Sequence, residues 1–444
     1  MSAVDLIALR GSLDGGFPAL IATCALDGTP NMSVLSDVRL VDERHVALSY
    51  QFFNKTRANI LVNPRARLQV TDPHTGARHL LTVRYLRTEA EGPLFVAMKA
   101  RLAGIAAHSG MSKVFHLRGA DLYEVETIEP LSGPLTAPTR GAHCLTALRT
   151  VLPELRASAD LTGLLDATLQ ALTVGFALGH CMLLLADSVG QRLFTVASAG
   201  YAESGVGSEI AFGEGVIGIA AAARTPLRMT HMAQDYLYSE VVRAQFMAAN
   251  PTLDLEQRIA LPGLTESRSQ LAVPIVRDTR VLGVIFVESP YDGSLTQDEE
   301  DACVVLADQF AAVYGSYDER EQPVAAAPAV TPSVPAGHAR KVRHAGHDHG
   351  VFVDGEYLIK GVAGAILWRM LQDYLATGRV EFSNRELRRD RQLGLPEIVD
   401  NLEARLVLLQ RRLAERAGEF LVLEKAGRGR YRLVVLRPLE LVED

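Results

Sequence analysis

The chain has 444 residues, 48% of them hydrophobic, with 45 Lys and Arg against 52 Asp and Glu and a net charge of −7. That length exceeds what one hydrophobic core organises and predicts about three domains. No uncharged apolar run is long enough to cross a membrane, and Asp5 and Arg10 stand where a secretory leader would be apolar, so the reading is a cytoplasmic protein. Cys24, Cys144, Cys181 and Cys303 lie far apart without a C-x-x-C pair, which argues against a disulfide scaffold or a zinc knuckle. Charge is uneven along the chain. From His338 onward Lys and Arg outnumber Asp and Glu by 19 to 16, whereas before it they are outnumbered 26 to 36. A basic end on an acidic body points to an anionic partner at that end.

Residues 1–130 are rich in strand pattern. The runs FPALIATCAL, PNMSVLSDVRLV, HVALSYQ, ARLQVTDP, RHLLTVRYLRTEAE and DLYEVETI are separated by turn signals such as Asp27-Gly28. Short helices are predicted at 56–62 and within PLFVAMKARLAGIAAHSGM, and the whole predicts a small antiparallel barrel. In FNKTRANILVNPRARLQV, residues 53–70, a helix opens near Lys55 or Thr56, and its free N–H groups and dipole make an anion-ready end. Two readings stand: a phosphate at that end, or solvated Arg57, Arg65 and Arg67 with Thr56 as an N-cap.

The order of elements around NKTRANILVNPRA resembles the FMN-binding split barrel of the pyridoxamine-phosphate oxidase family, over roughly residues 10–130. The resemblance implies FMN as cofactor, with Lys55, Thr56 and Asn59 in the phosphate region, Ser49 and Gln51 along the isoalloxazine ring, and Asn31 and Ser33 on the facing strand. It also implies a homodimer with flavin at the interface. The substrate-phosphate arginines of the oxidases are missing, Arg39 being the one arginine of the strand. Relatives of the fold bind haem or deazaflavin, or nothing. His108 and His116 are the candidate haem ligands, weighed against a structural role.

The segment 141–318 opens and closes with amphipathic helices, and Thr296 and Glu299 have capping-box spacing. Between them CMLLLAD, LFTVASAGY, SQLAVPIVRD and RVLGVIFVES read as strands, giving an α+β sheet with helices on one face. The stretches ASAGYAESGVGSEIAFGEGVIGIAAAARTPLRM and LAVPIVRDTRVLGVIFVES resemble a GAF domain. That resemblance implies a small-molecule ligand of unnamed identity, covered by the insertion 231–269 with His231, Tyr236, Tyr238 and Arg243. No cysteine occurs there, so a thioether-linked bilin is not expected. The glycines of GEGVIG, beside Glu214, read as structural and not as a phosphate cradle.

Residues 319–350, rich in Pro and Ala, read as a flexible linker whose His344, His347 and His349 belong to a flexible tract and not to a metal site. Residues 351–444 read as three helices and a hairpin. Ser383 caps one helix, and a longer one from Pro396 carries the stripe Ile398, Leu402, Leu406, Leu409 and Leu413. The segment resembles the winged-helix DNA-binding domain of response-regulator activators. By that resemblance Arg405 and Arg412 on the long helix and Arg428 and Arg430 on the hairpin would contact DNA, with Arg388, Arg389 and Arg391 as further phosphate contacts. Glu397, Asp400 and Glu403 at the start of that helix repel phosphate and keep a protein-contact role open.

The expected whole is a multidomain α+β chain: N-terminal split β-barrel, central GAF sheet domain, C-terminal winged helix. Its function reads as ligand- or redox-sensing transcriptional regulation. The alternative is a flavin-dependent oxidoreductase with regulatory GAF and winged-helix parts; no catalytic or metal-ligating residue is assigned.

Overall fold

The computed structural model describes residues 5–13, 17–51, 54–108, 116–134, 144–187, 191–202, 204–230, 232, 263–264, 267–318, 338–346, 349–390, 393, 402–427 and 429–443. No helix among them is long and apolar enough to cross a membrane.

The first region is an antiparallel sheet of seven strands: β1 (Ala19–Cys24), β2 (Pro30–Leu35), β3 (Val38–Leu40), β4 (His45–Tyr50), β5 (Arg65–Thr71), β6 (Arg78–Glu89) and β7 (Gly119–Ser132). Their order is β2-β1-β5-β6-β7-β4-β3, a curled half-barrel with β2 and β3 as edges. The period-2 pattern sends Ile21, Leu68, Val70, Leu81 and Val83 inward, all buried. The run PNMSVLSDVRLV, read as one strand, divides into β2 and β3 at Ser36-Asp37, where Asp37 turns inward and is 1% exposed. Helix α1 (Asn54–Val62) joins β4 to β5, and α2 (Pro93–His108) joins β6 to β7.

The central region contains helices α3 (Cys144–Ala157), α4 (Leu161–Gln170), α5 (Gly215–Ala223) and α6 (Gln297–Asp318). Its six strands are β8 (His180–Asp187), β9 (Arg192–Ala199), β10 (Glu209–Ala211), β11 (Leu227–Met229), β12 (Ser269–Arg277) and β13 (Arg280–Ser289), in the order β10-β9-β8-β13-β12-β11. Helices α3, α4 and α6 cover one face, with Leu164, Leu306 and Phe310 packed on Leu183, Val196 and Ile285. The expectation of helices on one face needs correction. Continuous apolar strands bury both faces. On the second face α5 and the barrel's α2 lie over Met182, Leu184, Val284 and Phe286. Gly218 of α5 is structural, as read: a Cβ there would sit 2.2 Å from the Ala211 carbonyl oxygen.

The third region holds β14 (Arg340–Ala345), β15 (Gly350–Val353), β16 (Glu356–Ile359), α7 (Gly361–Thr377), β17 (Glu381–Ser383), α8 (Asn384–Arg389), α9 (Leu402–Arg416), β18 (Leu421–Gly427), β19 (Arg430–Val435) and β20 (Leu439–Glu443). A four-stranded sheet runs β16-β15-β14-β20, and a three-stranded one runs β17-β19-β18. The expected linker over 319–350 is therefore corrected: its end is β14, antiparallel to β15 and parallel to β20. His344 is no part of a flexible tract. Its ring is buried and stacks on Trp368 at 4.8 Å and 10°. Ser383 caps α8 in a capping box with Glu386, as its spacing predicts. On α9, Leu402, Leu406, Leu409 and Leu413 are fully buried; Pro396 and Ile398 lie outside the described residues. One apolar core runs from the central helix layer into this region.

Candidate ligand sites in the barrel and the central sheet

The barrel bonds three of the residues expected to hold FMN, Asn31, Ser33 and Thr56, to one another, ties Asn59, Ser49 and Gln51 to other barrel groups, and leaves Lys55 exposed. Thr56 sits in the first turn of α1 and is buried. Its hydroxyl accepts a hydrogen bond from Asn31 Nδ2 at 2.9 Å and lies 2.7 Å from Ser33 Oγ. Asn59, one helical turn on, donates to Thr23 Oγ1 at 3.1 Å. Arg57 forms an ion pair with Asp121 at 2.8 Å and lies over the rings of Tyr50 and Tyr85. Burial raises the Asp121 carboxyl, against the bonds from Thr88 and Arg57. Ser49 and Gln51 are buried too: Ser49 Oγ accepts from the Asp37 amide, and Gln51 Nε2 donates to Ser36 Oγ. The cleft among Ser49, Thr56, Arg57 and Asp121 measures about 10 Å³, room for about one water molecule. Lys55 is exposed. The cleft as it stands is too small for a flavin ring, while the exposed Lys55 at the start of α1 takes no part in these bonds. His116 is exposed; the ring of His108 is outside the described side chains.

Behind Gln51 and Ser49 runs a feature the sequence reading missed. The fully buried Asp37 side chain lies 3.3 Å from Arg101 Nε of α2. Arg101, 2% exposed, donates through Nη1 to the Arg228 carbonyl oxygen of the central region. Arg228 in turn forms an ion pair with Glu300 at 2.7 Å and donates to Gln297 Oε1 at 3.1 Å. A chain of buried charge thus joins barrel to central sheet.

A second polar cluster lies on the central sheet's α5 face. Glu288 of β13 stands in register with His180 of β8 and Gln270 of β12, so all three side chains share the face that carries Phe286 and Met182. Glu288 is 2% exposed; Oε1 accepts from the Leu264 amide at 2.8 Å. Burial raises its carboxyl, against the bonds from Leu264, Ser267 and Tyr201 and the nearby His180. Tyr201 packs on the His180 ring at 5.6 Å. Gln270 Oε1 is buried with no hydrogen-bond partner among the described residues. Among the described residues the floor therefore presents one unpartnered acceptor, Gln270 Oε1, beside a carboxyl held by its own neighbours, and that acceptor suits an N–H or O–H group. One signal could have found it: in VLGVIFVES, Glu288 falls in the same phase as Val284 and Phe286, which marks a carboxylate aimed at a core. The loop residues His231, Tyr236, Tyr238 and Arg243 lie outside the described residues.

The central cysteines are not nucleophiles in this setting. Burial pushes the Cys181 thiol up to about 12 and Cys144 up to about 11, so both stay protonated near neutral pH. Among the described residues, no three His, Cys, Asp or Glu side chains gather as a metal site.

Two of the four arginines expected to face DNA, Arg405 and Arg412, are engaged within the chain. Arg405, 5% exposed, pairs with Asp187 at 2.9 Å and covers the Phe194 ring at 3.9 Å. Arg411 pairs with Asp166 at 2.5 Å, and Lys425 with Asp160 at 2.6 Å. Arg412 donates through Nε to the Leu358 carbonyl oxygen at 2.8 Å. Arg430 is half-buried at the hairpin end, Arg388 and Arg389 lie on α8, and Arg428 and Arg391 are outside the described residues. Helix α9 lies against β9 and α4 of the central sheet, so Arg405 and Arg412 are not on an open groove-reading face here.

No curated protein matches this chain. Among solved structures, the GAF domain from a Coxiella burnetii phosphoenolpyruvate-protein phosphotransferase is similar over 40% of this chain and 95% of its own, with 21% identity and a TM-score of 0.32. Free methionine-R-sulfoxide reductase from Neisseria meningitidis, in complex with its substrate, is similar over 41% and 96%, at 19% identity and a TM-score of 0.31. An FMN-binding protein from Syntrophomonas wolfei subsp. wolfei is similar over 30% and 84%, at 20% identity and a TM-score of 0.23. The GAF domain family model matches from the residue before α4 to the interior of α6: residues 160–314 of this chain are a GAF domain.

Proposed function

We propose that this chain is a sensory regulator of transcription. Its GAF domain reads a small molecule at the Glu288 floor, and its third region is a winged-helix output that binds DNA when released from the GAF domain. A GAF domain suggests a sensory or regulatory role. The observation that carries the output half is the pairing of α9 and β18 with the GAF domain: Arg405, Arg411 and Lys425 meet Asp187, Asp166 and Asp160. Carboxylates stand there where phosphates would stand on DNA. A ligand acts on such a contact only by binding the docked and released arrangements with different affinity. The flavin-oxidoreductase alternative draws less support from the barrel, where the cleft beside Thr56 has room for about one water molecule.

The test uses the full chain and a labelled non-specific duplex at low salt, read by fluorescence anisotropy. The double variant D166N/D187N is expected to bind at least about tenfold more tightly than wild type, with a steep salt dependence. Equal, salt-insensitive or absent binding in both proteins overturns the reading.

A further inference from the structure

We infer that the seam between the GAF domain and the third region contains a binding site for a small phosphate-bearing anion. The connection before β10, Ser204-Gly205-Val206-Gly207-Ser208, faces the end of β16 and the C-terminal turn of α9 across a cleft of about 260 Å³. One wall carries Arg412 and Arg416; the other carries the two serines.

Arg412 is 9% exposed, and its guanidinium uses one hydrogen bond, from Nε to the Leu358 carbonyl oxygen at 2.8 Å. Its Nη1 lies 3.9 Å from Glu415 Oε2, beyond hydrogen-bond distance. The other acid nearby, Glu209, is turned to Arg192 at 3.2 Å. Burial and the adjacent Arg416 both press the Arg412 guanidinium down from its usual value, so two like charges share one cleft. An unused N–H fork in a largely desolvated place matches phosphate geometry, and a phosphate would relieve the repulsion. Ser204 Oγ accepts from the Val206 amide at 3.0 Å, which leaves its own proton to donate. Gly207 adopts φ +89° and leaves 4.0 Å between a notional Cβ and the Arg412 side chain, so the loop approaches as backbone.

The volume suits a phosphate or diphosphate on a small carrier and is tight for a drug-sized ligand. Because the walls belong to different regions, an occupant bridges them. This site does not depend on whether the third region binds DNA.

Pyrophosphate titrated into the full chain at constant ionic strength, followed by calorimetry and thermal unfolding, tests the inference. Wild type should show saturable binding and a raised melting temperature. Arg416 is exposed, so R416Q should melt like wild type without the anion and lose at least about tenfold in affinity, whereas R430Q should bind like wild type. Identical titrations for wild type and R416Q overturn the proposal, as does a melting shift that sodium chloride at matched ionic strength reproduces.

Discussion

The GAF domain meets its two neighbours through seams of opposite construction. Toward the barrel, α2 lays Ala100 and Ile105 on Ile217 and Leu227, and the charges are sealed: the Arg101 and Asp37 side chains are 2% and 0% exposed. Toward the third region an apolar core is shared, and two of the three ion pairs sit at its rim, with the Asp166 side chain 62% exposed and Asp160 34%, while the third, Arg405 with Asp187, is 6% and 24% exposed. A sealed pair is strongly coupled to its surroundings and insensitive to salt, while rim pairs are screened and contribute little each. The barrel and GAF domain therefore meet through a sealed contact, and the third region through an apolar core flanked by ion pairs partly open to solvent.

The largest expected effect is at the sealed seam. Arg101→Met leaves Asp37 buried without its guanidinium and should cost about 3–5 kcal/mol in urea unfolding. The double variant R101M/D37L should recover most of that; failure to recover would show that the hydrogen bond from Arg101 to the Arg228 carbonyl oxygen, and not the charge on Asp37, carries the effect. At the rim seam Asp187→Asn should cost about 1–2 kcal/mol of docking, because Arg405 stays buried over Phe194. Asp166→Asn should cost under about 1 kcal/mol. Hydrogen exchange of α9 reads both, and raising sodium chloride should speed that exchange while leaving α2 unchanged. Equal responses of the two helices would abolish the distinction between the seams.

A smaller effect concerns pH. The Glu288 carboxyl is raised in the folded chain, so between its ordinary value near 4.5 and its folded value the folded state holds the extra proton. Stability should fall as pH rises through that window, and Glu288→Gln should flatten the slope, with little difference from wild type at lower pH. The smallest effect is expected at Lys55→Ala, within about 0.5 kcal/mol, since the side chain is exposed.

Much of this architecture was legible locally. The four long GAF strands follow from continuous Val, Leu and Ile runs, and the Ser383 and Thr296 caps from spacing: Thr296 donates from its amide to Glu299 at 2.7 Å. What escaped depends on distant partners. ARKVRHA alternates and has a local antiparallel partner in β15, yet the Pro- and Ala-rich stretch before it obscured the strand, and its parallel partner β20 lies almost a hundred residues on. The Leu stripe of α9 was visible; that Arg405 and Arg412, seven residues apart on its flank, are also covered follows from distant partners, Asp187 and Phe194 for the first and Leu358 for the second. In the barrel, the resemblance set Asn31 and Ser33 on the strand facing Thr56, and the structure bonds both to its hydroxyl, a detail that no spacing in the sequence gives.

The pairing of β14 with β20 also sets an order of events during synthesis. Antiparallel hairpins close as soon as both arms leave the ribosome, but β14 waits for residues 439–443 before its second edge is satisfied. The GAF domain, complete well before then, is already folded when α9 emerges and offers Asp166 and Asp187 to it. Within one molecule α9 thus meets its GAF domain at the high effective concentration that a covalent connection gives.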